Sequence, residues 1–252
     1  ALAPAEDVGL VRIHAGAVAF RHPLVRSAVY HSASADERRT AHSTLADALA
    51  GAENSDRRAW HLAAAADGPN ESVAAALEAA ASRFAERGGQ ASASRALERA
   101  AELSNDDDQI ARRLHAAGRA AEHAGNLERA ALLAERALNR SRDPGIRAAA
   151  RVLDWQVSDW RGLAADDVDF EREAERLAPF HPARAALLLY VSSSAAWRRL
   201  DLEHALRLLA SGASTHCRQR SRGRPYFREI RFNSSAQFST TLICVTGCSC
   251  ST

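Results

Sequence analysis

Apolar residues alternate with polar or small residues over two short stretches near the N-terminus, residues 11–14 and 17–20. A period of two is typical of β-strands. If residues 15 and 16 form a two-residue turn, both strands place their larger apolar side chains on one face, so the pattern predicts a β-hairpin. The pairs that then lie opposite each other are Val11 with Phe20 and Ile13 with Val18.

The spacing changes to a helical one directly after the hairpin. Pro23 suits the first position of a helix, where its missing N–H costs nothing. Ser34 and Glu37 form a capping box, which predicts a second helix. Its predicted buried side chains are Ala41, Leu45, Ala48 and Leu49. Ser55 or Asp56 is predicted to open a third.

A later stretch carries one clear apolar stripe at helical spacing. The members of this stripe are Val73, Leu77, Ala80, Ala81 and Phe84. The stripe predicts an amphipathic helix that buries one face.

A repeat follows, in which an amphipathic helix ends at a tight turn and another begins. The turns fall at Gly88-Gly89, Gly125, Gly162 and Asp201, at intervals of 37, 37 and 39 residues. A period in the thirties with such turns is typical of a solenoid of helical hairpins, like that of tetratricopeptide repeats. Pro144, Pro179 and Pro182 fall between helices and are predicted to end them.

These patterns predict a mainly α protein in three segments. Residues 1–34 are a winged-helix remnant with a β-hairpin, and residues 35–212 are a tetratricopeptide-like α-solenoid. Residues 213–252 form a basic tail rich in Cys, Ser and Thr. We expect this tail to be disordered, or to come from a shift of reading frame within a repeat.

The composition favours thin helical layers over one thick core. Hydrophobic residues make up 46% of the chain and aromatic residues only 6%, and alanine, the best helix former, supplies much of the apolar content. No run of 18 apolar residues is present, so we expect no membrane span. The first ten residues do not resemble a signal peptide, and we expect them to lie within a longer cytoplasmic protein.

The chain contains no lysine, so all 33 basic residues are arginine. A Walker A loop needs its lysine to reach the nucleotide phosphates, and Schiff-base chemistry needs an amine. These classes of site are therefore excluded for this chain. No combination of nucleophile, base and orienting residue is evident from spacing, and we expect the chain not to be an enzyme.

Charge divides the chain at the same border as composition. The last 40 residues hold six arginines and one acid, whereas the first 212 hold 27 arginines and 30 acids. The acidic body argues against a nucleic-acid-binding face there. The tail's arginine run, residues 218–224, is predicted to be solvated.

Several residues invite a chemical role but have a structural alternative. The tryptophans at 60, 155, 160 and 197 could line a ligand groove, although core packing is the favoured interpretation. His61, His115 and His123 lack metal-ligand spacing. The tail's His216, Cys217, Cys244, Cys248 and Cys250 also lack a usual zinc spacing, so no metal site is predicted. Asp106–Asp108 and Asp166–Asp167 are predicted to begin helices.

Two longer stretches resemble a known family. "FRHPLVRSAVYHSASADERRTAHSTLADALA" and "AWHLAAAADGP" look very like the actinobacterial large ATP-binding regulators of the LuxR family. These are STAND-type proteins with a P-loop ATPase, a winged helix, a tetratricopeptide-like sensor region and a DNA-binding helix-turn-helix. The resemblance covers residues 1 to about 212, without the ATPase or the helix-turn-helix.

The resemblance implies a role for His22. In STAND ATPases, a winged-helix histidine followed by two apolar residues and an arginine senses the phosphates of bound ADP. The stretch from His22 to Arg26 is similar, with Pro23 where many relatives have aspartate. The alternative is that His22 only begins a helix.

The resemblance also implies a function: the chain would relay inducer or partner binding to the ATPase domain of its parent regulator. ATP or ADP would be bound by the parent protein and no cofactor by this segment. The inducer, a small molecule or a protein, would bind the solenoid, and the regulator could form a homo-oligomer. No specific nucleic-acid binding is expected of this segment. The alternative function is a tetratricopeptide-like protein-interaction scaffold without a nucleotide link.

Overall fold

The computed structural model describes residues 2–15, 17–163 and 170–220, with side chains described as far as residue 213. A short helix, α1 (Ala3–Asp7), leads into strands β1 (Val11–His14) and β2 (Ala17–Phe20) and then into helix α2 (Pro23–Ser32). The strands pair antiparallel, with Val11 opposite Phe20 and Ile13 opposite Val18. The predicted hairpin and its register are confirmed. Ala15, at the turn, has a positive φ of 49°.

The rest of the described chain is helical. A 3-10 turn over Ala52–Asn54 joins the first two of these helices. Their bounds are α3 (Ala35–Ala48), α4 (Ser55–Ala65), α5 (Glu71–Glu86), α6 (Gln90–Glu102), α7 (Asp107–His123), α8 (Leu127–Arg140), α9 (Pro144–Trp160), α10 (Phe170–Leu177), α11 (Pro182–Arg198) and α12 (Leu202–Arg220).

Four of these helices end in the same turn. The residue after the C-cap is left-handed in each case, with φ of 78° at Gly88, 77° at Gly125, 70° at Gly162 and 61° at Leu200. The next backbone N–H bonds back to a carbonyl five residues earlier, over 2.7–3.0 Å. This pair of features is the Schellman motif, which satisfies carbonyls that the helix leaves unpaired. The predicted repeat is confirmed, with its last turn centred on Leu200.

Helix starts follow the predicted signals. The Ser34 and Glu37 side chains make both capping-box hydrogen bonds, and Asp106 accepts a hydrogen bond from the Gln109 N–H at 2.8 Å. Pro144 and Pro182, which were predicted to end helices, are instead the first residues of α9 and α11, and Pro179 lies in the turn after α10. Asp166–Asp167 lies outside the described residues.

The helices stack as hairpins in two layers, with α5, α7, α9 and α11 in one layer and α6, α8, α10 and α12 in the other. Helix α7 also packs directly on α9, and α9 on α11. The first layer is therefore the inner, more tightly curved one. This arrangement confirms the predicted solenoid of helical hairpins.

The apolar core is a series of small clusters. One cluster joins α6, α7, α8 and α9, another joins α9, α10 and α11, and a third joins α4, α5 and α6. The predicted stripe on α5 contributes Val73, Leu77, Ala80 and Ala81 as buried residues.

Small residues set the spacing of these helices. A Cβ added at Gly118 of α7 would lie 2.8 Å from Leu153 Cδ2 and 3.4 Å from the Ala130 carbonyl oxygen. Helices α8 and α9 therefore approach α7 more closely than a larger side chain at this position would permit.

The predicted buried face of α3 is wrong. Ala41, Leu45 and Ala48 are exposed, Leu49 is half-buried, and the fully buried residue of the helix is Ala46. His42, four residues before Ala46, turns toward α4, where its ring meets that of His61. The helix is rotated because a polar contact with α4 fixes its orientation.

Core packing is confirmed for one tryptophan and wrong for two. Trp155 is buried at 7% exposure, whereas Trp160 and Trp197 are 61% and 59% exposed. Trp60 is partly covered. Trp160 and Trp197 lie in the last turns of α9 and α11, where the neighbouring helices no longer cover them.

Helix α12 continues through the predicted border at residue 212 to Arg220. The predictions for residues 221–252, including the cysteines at 244, 248 and 250, fall outside the described residues.

The repeated turn predicts opposite effects at two equivalent positions. Leu200 is 82% exposed and has little packing to lose, so Leu200→Gly should relieve its left-handed strain. Gly125→Ala should impose that strain, since a Cβ there meets no neighbour but φ is 77°. Each change should alter the free energy of unfolding by about 1 kcal/mol, in opposite directions.

The measurement is the urea midpoint of unfolding followed by circular dichroism. Leu200→Ala is the matched control, because it shortens the side chain without freeing the backbone. A Leu200→Gly variant no more stable than Leu200→Ala would contradict the strain argument.

Candidate functional site

His22 lies at the corner between β2 and α2. It is the N-cap of α2, with extended backbone angles, and its Nδ1 accepts a hydrogen bond from the Leu24 N–H at 3.1 Å. The accepting Nδ1 requires the tautomer that carries its proton on Nε2. The side chain is exposed, so the Nε2–H remains available to a hydrogen-bond acceptor.

The surface around this corner is apolar and open. Val11 is the one buried residue of the described N-terminal unit, residues 2–32. Leu24 is 70% exposed and Val29 55%, and Ile13 and Val18 of the hairpin are 43% and 46% exposed. The unit thus leaves several large apolar side chains substantially exposed.

A hydrogen-bonded chain of three side chains links this unit to the solenoid. The Tyr30 hydroxyl lies 3.2 Å from Nε2 of His42, and Nδ1 of His42 lies 2.9 Å from Nδ1 of His61. Burial, His42 and Arg57 lower the pKa of His61. A neutral His61 can accept a hydrogen bond from the Nδ1–H of His42, and His42 Nε2 can then accept one from the Tyr30 hydroxyl.

Sequence reasoning missed this junction. It considered His61 only as a metal ligand, and it assigned no role to Tyr30 or His42. The available signal was the spacing of His42 and Ala46, which lie one turn apart on the face that α3 buries.

The inner layer of the solenoid holds a second group of polar side chains, between α7, α9 and α11. Burial, with the positive charges of Arg184 and Arg119, lowers the pKa of His115 to about 4, while a contact with the Ala149 backbone opposes the shift. The Arg119 guanidinium donates a hydrogen bond to Gln156 Oε1 at 3.4 Å. His115 is therefore neutral at pH 7.

Glu122 lies one turn beyond Arg119 on the same helix. Its Oε2 lies 3.0 Å from Arg119 Nη1 but makes no well-directed hydrogen bond among the described residues. Burial raises the pKa of Glu122, and the charges of Arg119 and His123 oppose the rise.

Exposed aromatic rings lie on α9 and α11 of this inner layer. Trp160 ends α9, and Tyr190 and Trp197 lie two turns apart on α11, with exposures of 61%, 39% and 59%. Between them, Arg198 Nη1 pairs with Asp159 Oδ1 at 2.6 Å, and the Arg198 guanidinium stacks over Trp155. These three rings are therefore not part of the buried core.

An open pocket lies elsewhere, where α10, α11 and α12 meet. Its walls include Ala174, Leu189 and Leu208, and it also includes Glu171, whose Oε1 lies 2.9 Å from His204 Nε2.

His61, His115 and His123 are not brought together. Across residues 2–15, 17–163 and 170–220, no group of three or more His, Cys, Asp or Glu side chains is arranged to hold a metal ion. Helices long and apolar enough to cross a membrane are likewise absent from the described part of the chain.

Comparison with known proteins identifies no relative: no family model, no curated protein and no solved structure matches this chain.

The histidines predict a pH dependence with a definite sign. Because the folded pKa values of His115 and His61 are lowered from 6.5, protonation favours the unfolded chain. The free energy of unfolding should therefore fall as pH drops below about 6.5. For His115 the fall should continue to about pH 4. His115→Gln keeps a hydrogen-bond donor without a titrating ring and should flatten this dependence.

The measurement is the urea midpoint between pH 7.5 and pH 5, above the range in which the carboxylates of Asp56 and Glu71 become protonated. His14→Gln, in the exposed hairpin, is the control and should keep the pH dependence that His115 produces. Equal slopes for wild type and His115→Gln would show that His115 is not the titrating group.

Proposed function

We propose that this chain is the regulatory segment of an ATP-dependent LuxR-type transcriptional regulator in the cytoplasm. In this proposal the solenoid receives an inducer or a protein partner and passes the signal to the regulator's own ATPase domain. The N-terminal unit would fold over the nucleotide, and the DNA-binding domain would carry the output. The proposal rests first on the resemblance of the stretch around His22 to the STAND sensor motif.

The observation that carries the proposal furthest is the corner at His22. The hairpin and Pro23 hold the histidine between a strand and a helix, and its capping hydrogen bond orients the ring so that Nε2–H faces outward. A neutral imidazole N–H can donate to a phosphate oxygen. A contact made only with ADP in the closed arrangement would stabilise the inactive state selectively.

The open apolar surface around this corner supports the same proposal. Exposed contiguous apolar surface usually marks an interaction site. In the proposal, this surface of residues 2–32 packs against the ATPase domain, which would place His22 near the nucleotide.

The alternative, a protein-interaction scaffold without a nucleotide link, is favoured by a different observation. The exposed rings of Trp160, Tyr190 and Trp197 are typical of a protein-binding surface. They do not require a nucleotide site, and in a scaffold His22 would serve only as the N-cap of α2.

Two substitutions at His22 separate sensing from helix capping in the full-length regulator. His22→Ala removes both the imidazole and the cap, whereas Asn in His22→Asn is a good N-cap without the ring. Both variants should lose ADP more readily and raise basal transcription without inducer. Only His22→Ala should also lose stability, by about 1 kcal/mol.

ADP retention is measured by the rate of nucleotide release, and stability by thermal unfolding. If His22→Asn keeps wild-type ADP release and basal transcription, His22 serves only as the N-cap of α2.

The proposal also predicts what the isolated chain does with ATP. Without a lysine for a phosphate-binding loop, the purified chain should not hydrolyse ATP above the level of a buffer control. The measurement is phosphate release in the presence of Mg²⁺. ATP turnover that co-purifies with the chain through gel filtration would contradict the proposal that ATP is hydrolysed by a separate domain of the regulator.

A further inference from the structure

The repeated turn makes positions in different hairpins directly comparable. Its left-handed residue serves as the reference, and the four turns are centred on Gly88, Gly125, Gly162 and Leu200. Counting forward from this residue gives equivalent positions on the outer helices, and counting back gives equivalent positions on the inner helices. Helices α7 and α9 show what these positions contact, whereas α12 is the last helix that the structure describes.

The sixth residue after the reference faces the inner helix that follows. In α6 this residue is Ser94, whose buried hydroxyl donates a hydrogen bond to the Ala117 carbonyl of α7 at 2.8 Å. In α8 it is Ala131, which packs against the cluster that α8 shares with α9. In α12 it is Leu206, which is 61% exposed. The position that meets the next inner helix in two earlier hairpins is therefore open to solvent in the last described one.

The neighbouring positions on this face of α12 are also apolar and exposed. The ninth residue after the reference is Leu97 in α6, which packs against the cluster that contains α7 and α9, and Ala134 in α8, which belongs to it. The equivalent residue of α12, Leu209, is exposed, as is Leu202. Residues 202, 206 and 209 are spaced by four and three positions, so they form one leucine stripe along the helix.

Helix α11 exposes two aromatic residues at the equivalent positions of the inner layer. The tenth residue before the reference is Glu78 in α5, which pairs with Arg113 of α7 at 3.0 Å. In α9 it is Val152, which is buried in the cluster shared with α11. The equivalent residue of α11 is Tyr190, which is exposed.

The third residue before the reference gives the same result. In α9 it is Asp159, which pairs with Arg198 of α11 at 2.6 Å. In α11 it is Trp197, whose side chain is exposed. Tyr190 and Trp197 therefore occupy the positions through which an inner helix contacts the next inner helix.

These residues form one surface, the open end face, which consists of Tyr190 and Trp197 of α11 with Leu202, Leu206 and Leu209 of α12. A helix in the position of α9 would contact both α11 and α12 there, as α9 contacts both α7 and α8. Contiguous exposed apolar surface usually marks an interaction site. The occupant that fits is an amphipathic helix antiparallel to α12, because α9 follows α8 after a turn of only three residues.

Helix α12 itself has the apolar stripe that such an occupant needs. Helix α9 packs on its neighbours with apolar residues spaced by four, three and four positions, which are Ile146, Ala150, Leu153 and Val157. Helix α12 has apolar residues at the same spacing, which are Leu202, Leu206, Leu209 and Ala213.

Other segments of the chain do not offer a free stripe of this kind. In the sequence of residues 221–252, no four apolar residues have this spacing. The apolar stripes of α4 to α11 are already buried in the clusters of the solenoid. The matching stripe is therefore that of α12 in a second copy of the chain.

We propose that two copies of this chain associate through their open end faces. The two α12 helices lie antiparallel about a twofold axis, and each also contacts α11 of the other copy, so that four helices bury the aromatic and leucine side chains. A twofold interface requires such a self-complementary face. This inference rests on the repeat and not on the proposed role in transcription, so either can fail without the other.

Sedimentation velocity of the whole chain tests this association. The sedimentation coefficient should rise from that of a monomer to that of a dimer as the concentration is raised through the micromolar range. A reducing agent is present throughout, so that disulfides between copies cannot produce the dimer. Because the interface is apolar, raising the salt concentration should not dissociate the dimer.

Leu206→Glu should weaken dimerisation by at least about tenfold, since it places a charge within the apolar interface of each copy. Trp197→Ala should weaken it by about tenfold through loss of an aromatic contact. Leu132→Glu is the matched control and should leave the dimer unchanged, because Leu132 is an exposed leucine of the outer helix α8 that does not belong to the open end face. All three side chains are exposed in a single copy, so the variants should keep the helical circular dichroism of the wild type.

Three results would overturn the proposal. A wild-type chain that stays monomeric through the micromolar range would leave the open end face to a helix of a different protein. A dimer that persists in both Leu206→Glu and Trp197→Ala would form through another surface. Oligomers that grow beyond the dimer as concentration rises would indicate head-to-tail stacking of solenoids instead of a twofold contact.

Discussion

Close packing of small side chains is the constraint on which the rest of this structure depends. An alanine side chain buries little apolar area, so one helix–helix contact contributes little stability. Each helix must therefore contact neighbours on both sides, and the core becomes a series of clusters along the chain. Gly118 shows how close the contacts are, since even one added carbon would clash with Leu153. Stacked hairpins are the arrangement that satisfies this requirement.

Long arginine side chains form ion pairs between helices of the same layer, across a distance that alanine side chains are too short to span. In the outer layer, Arg129 and Arg136 of α8 both reach Glu98 of α6. In the inner layer, Arg113 of α7 pairs with both Glu71 and Glu78 of α5 and is almost fully buried. Removal of either carboxylate would leave part of a buried charge unpaired. These ion pairs add polar links between alternate helices of the same layer.

Local features of the fold could be predicted from the sequence, and the features that failed depend on contacts distant in sequence. The hairpin, the helix caps and the repeat are each encoded within a few residues, through alternation, capping side chains and turn glycines. The exact position of the last turn could not be predicted from the sequence. Its left-handed residue is Leu200, whereas the other three turns have glycine there. The buried face of α3 depends on His61, which lies 19 residues beyond His42. The exposure of Trp160 and Trp197 depends on where neighbouring helices end, and composition carries no information about that.

The junction between the N-terminal unit and the solenoid differs in kind from the contacts within the solenoid. Apolar clusters join successive helices from α4 to α11, whereas α2 meets α3 through polar groups, and Arg38 donates to the Ala33 carbonyl at 2.7 Å. In the Tyr30–His42–His61 chain, a neutral His42 has one N–H to donate and one nitrogen to accept. If both rings were protonated, His42 Nδ1 and His61 Nδ1 would each carry a hydrogen. The two N–H groups would then repel each other, because the nitrogens are 2.9 Å apart. The orientation of the hairpin and of His22 relative to the solenoid therefore depends on a few directional hydrogen bonds. In the proposed regulator, a partner that covered the apolar surface of residues 2–32 would act against these hydrogen bonds when it repositioned the unit.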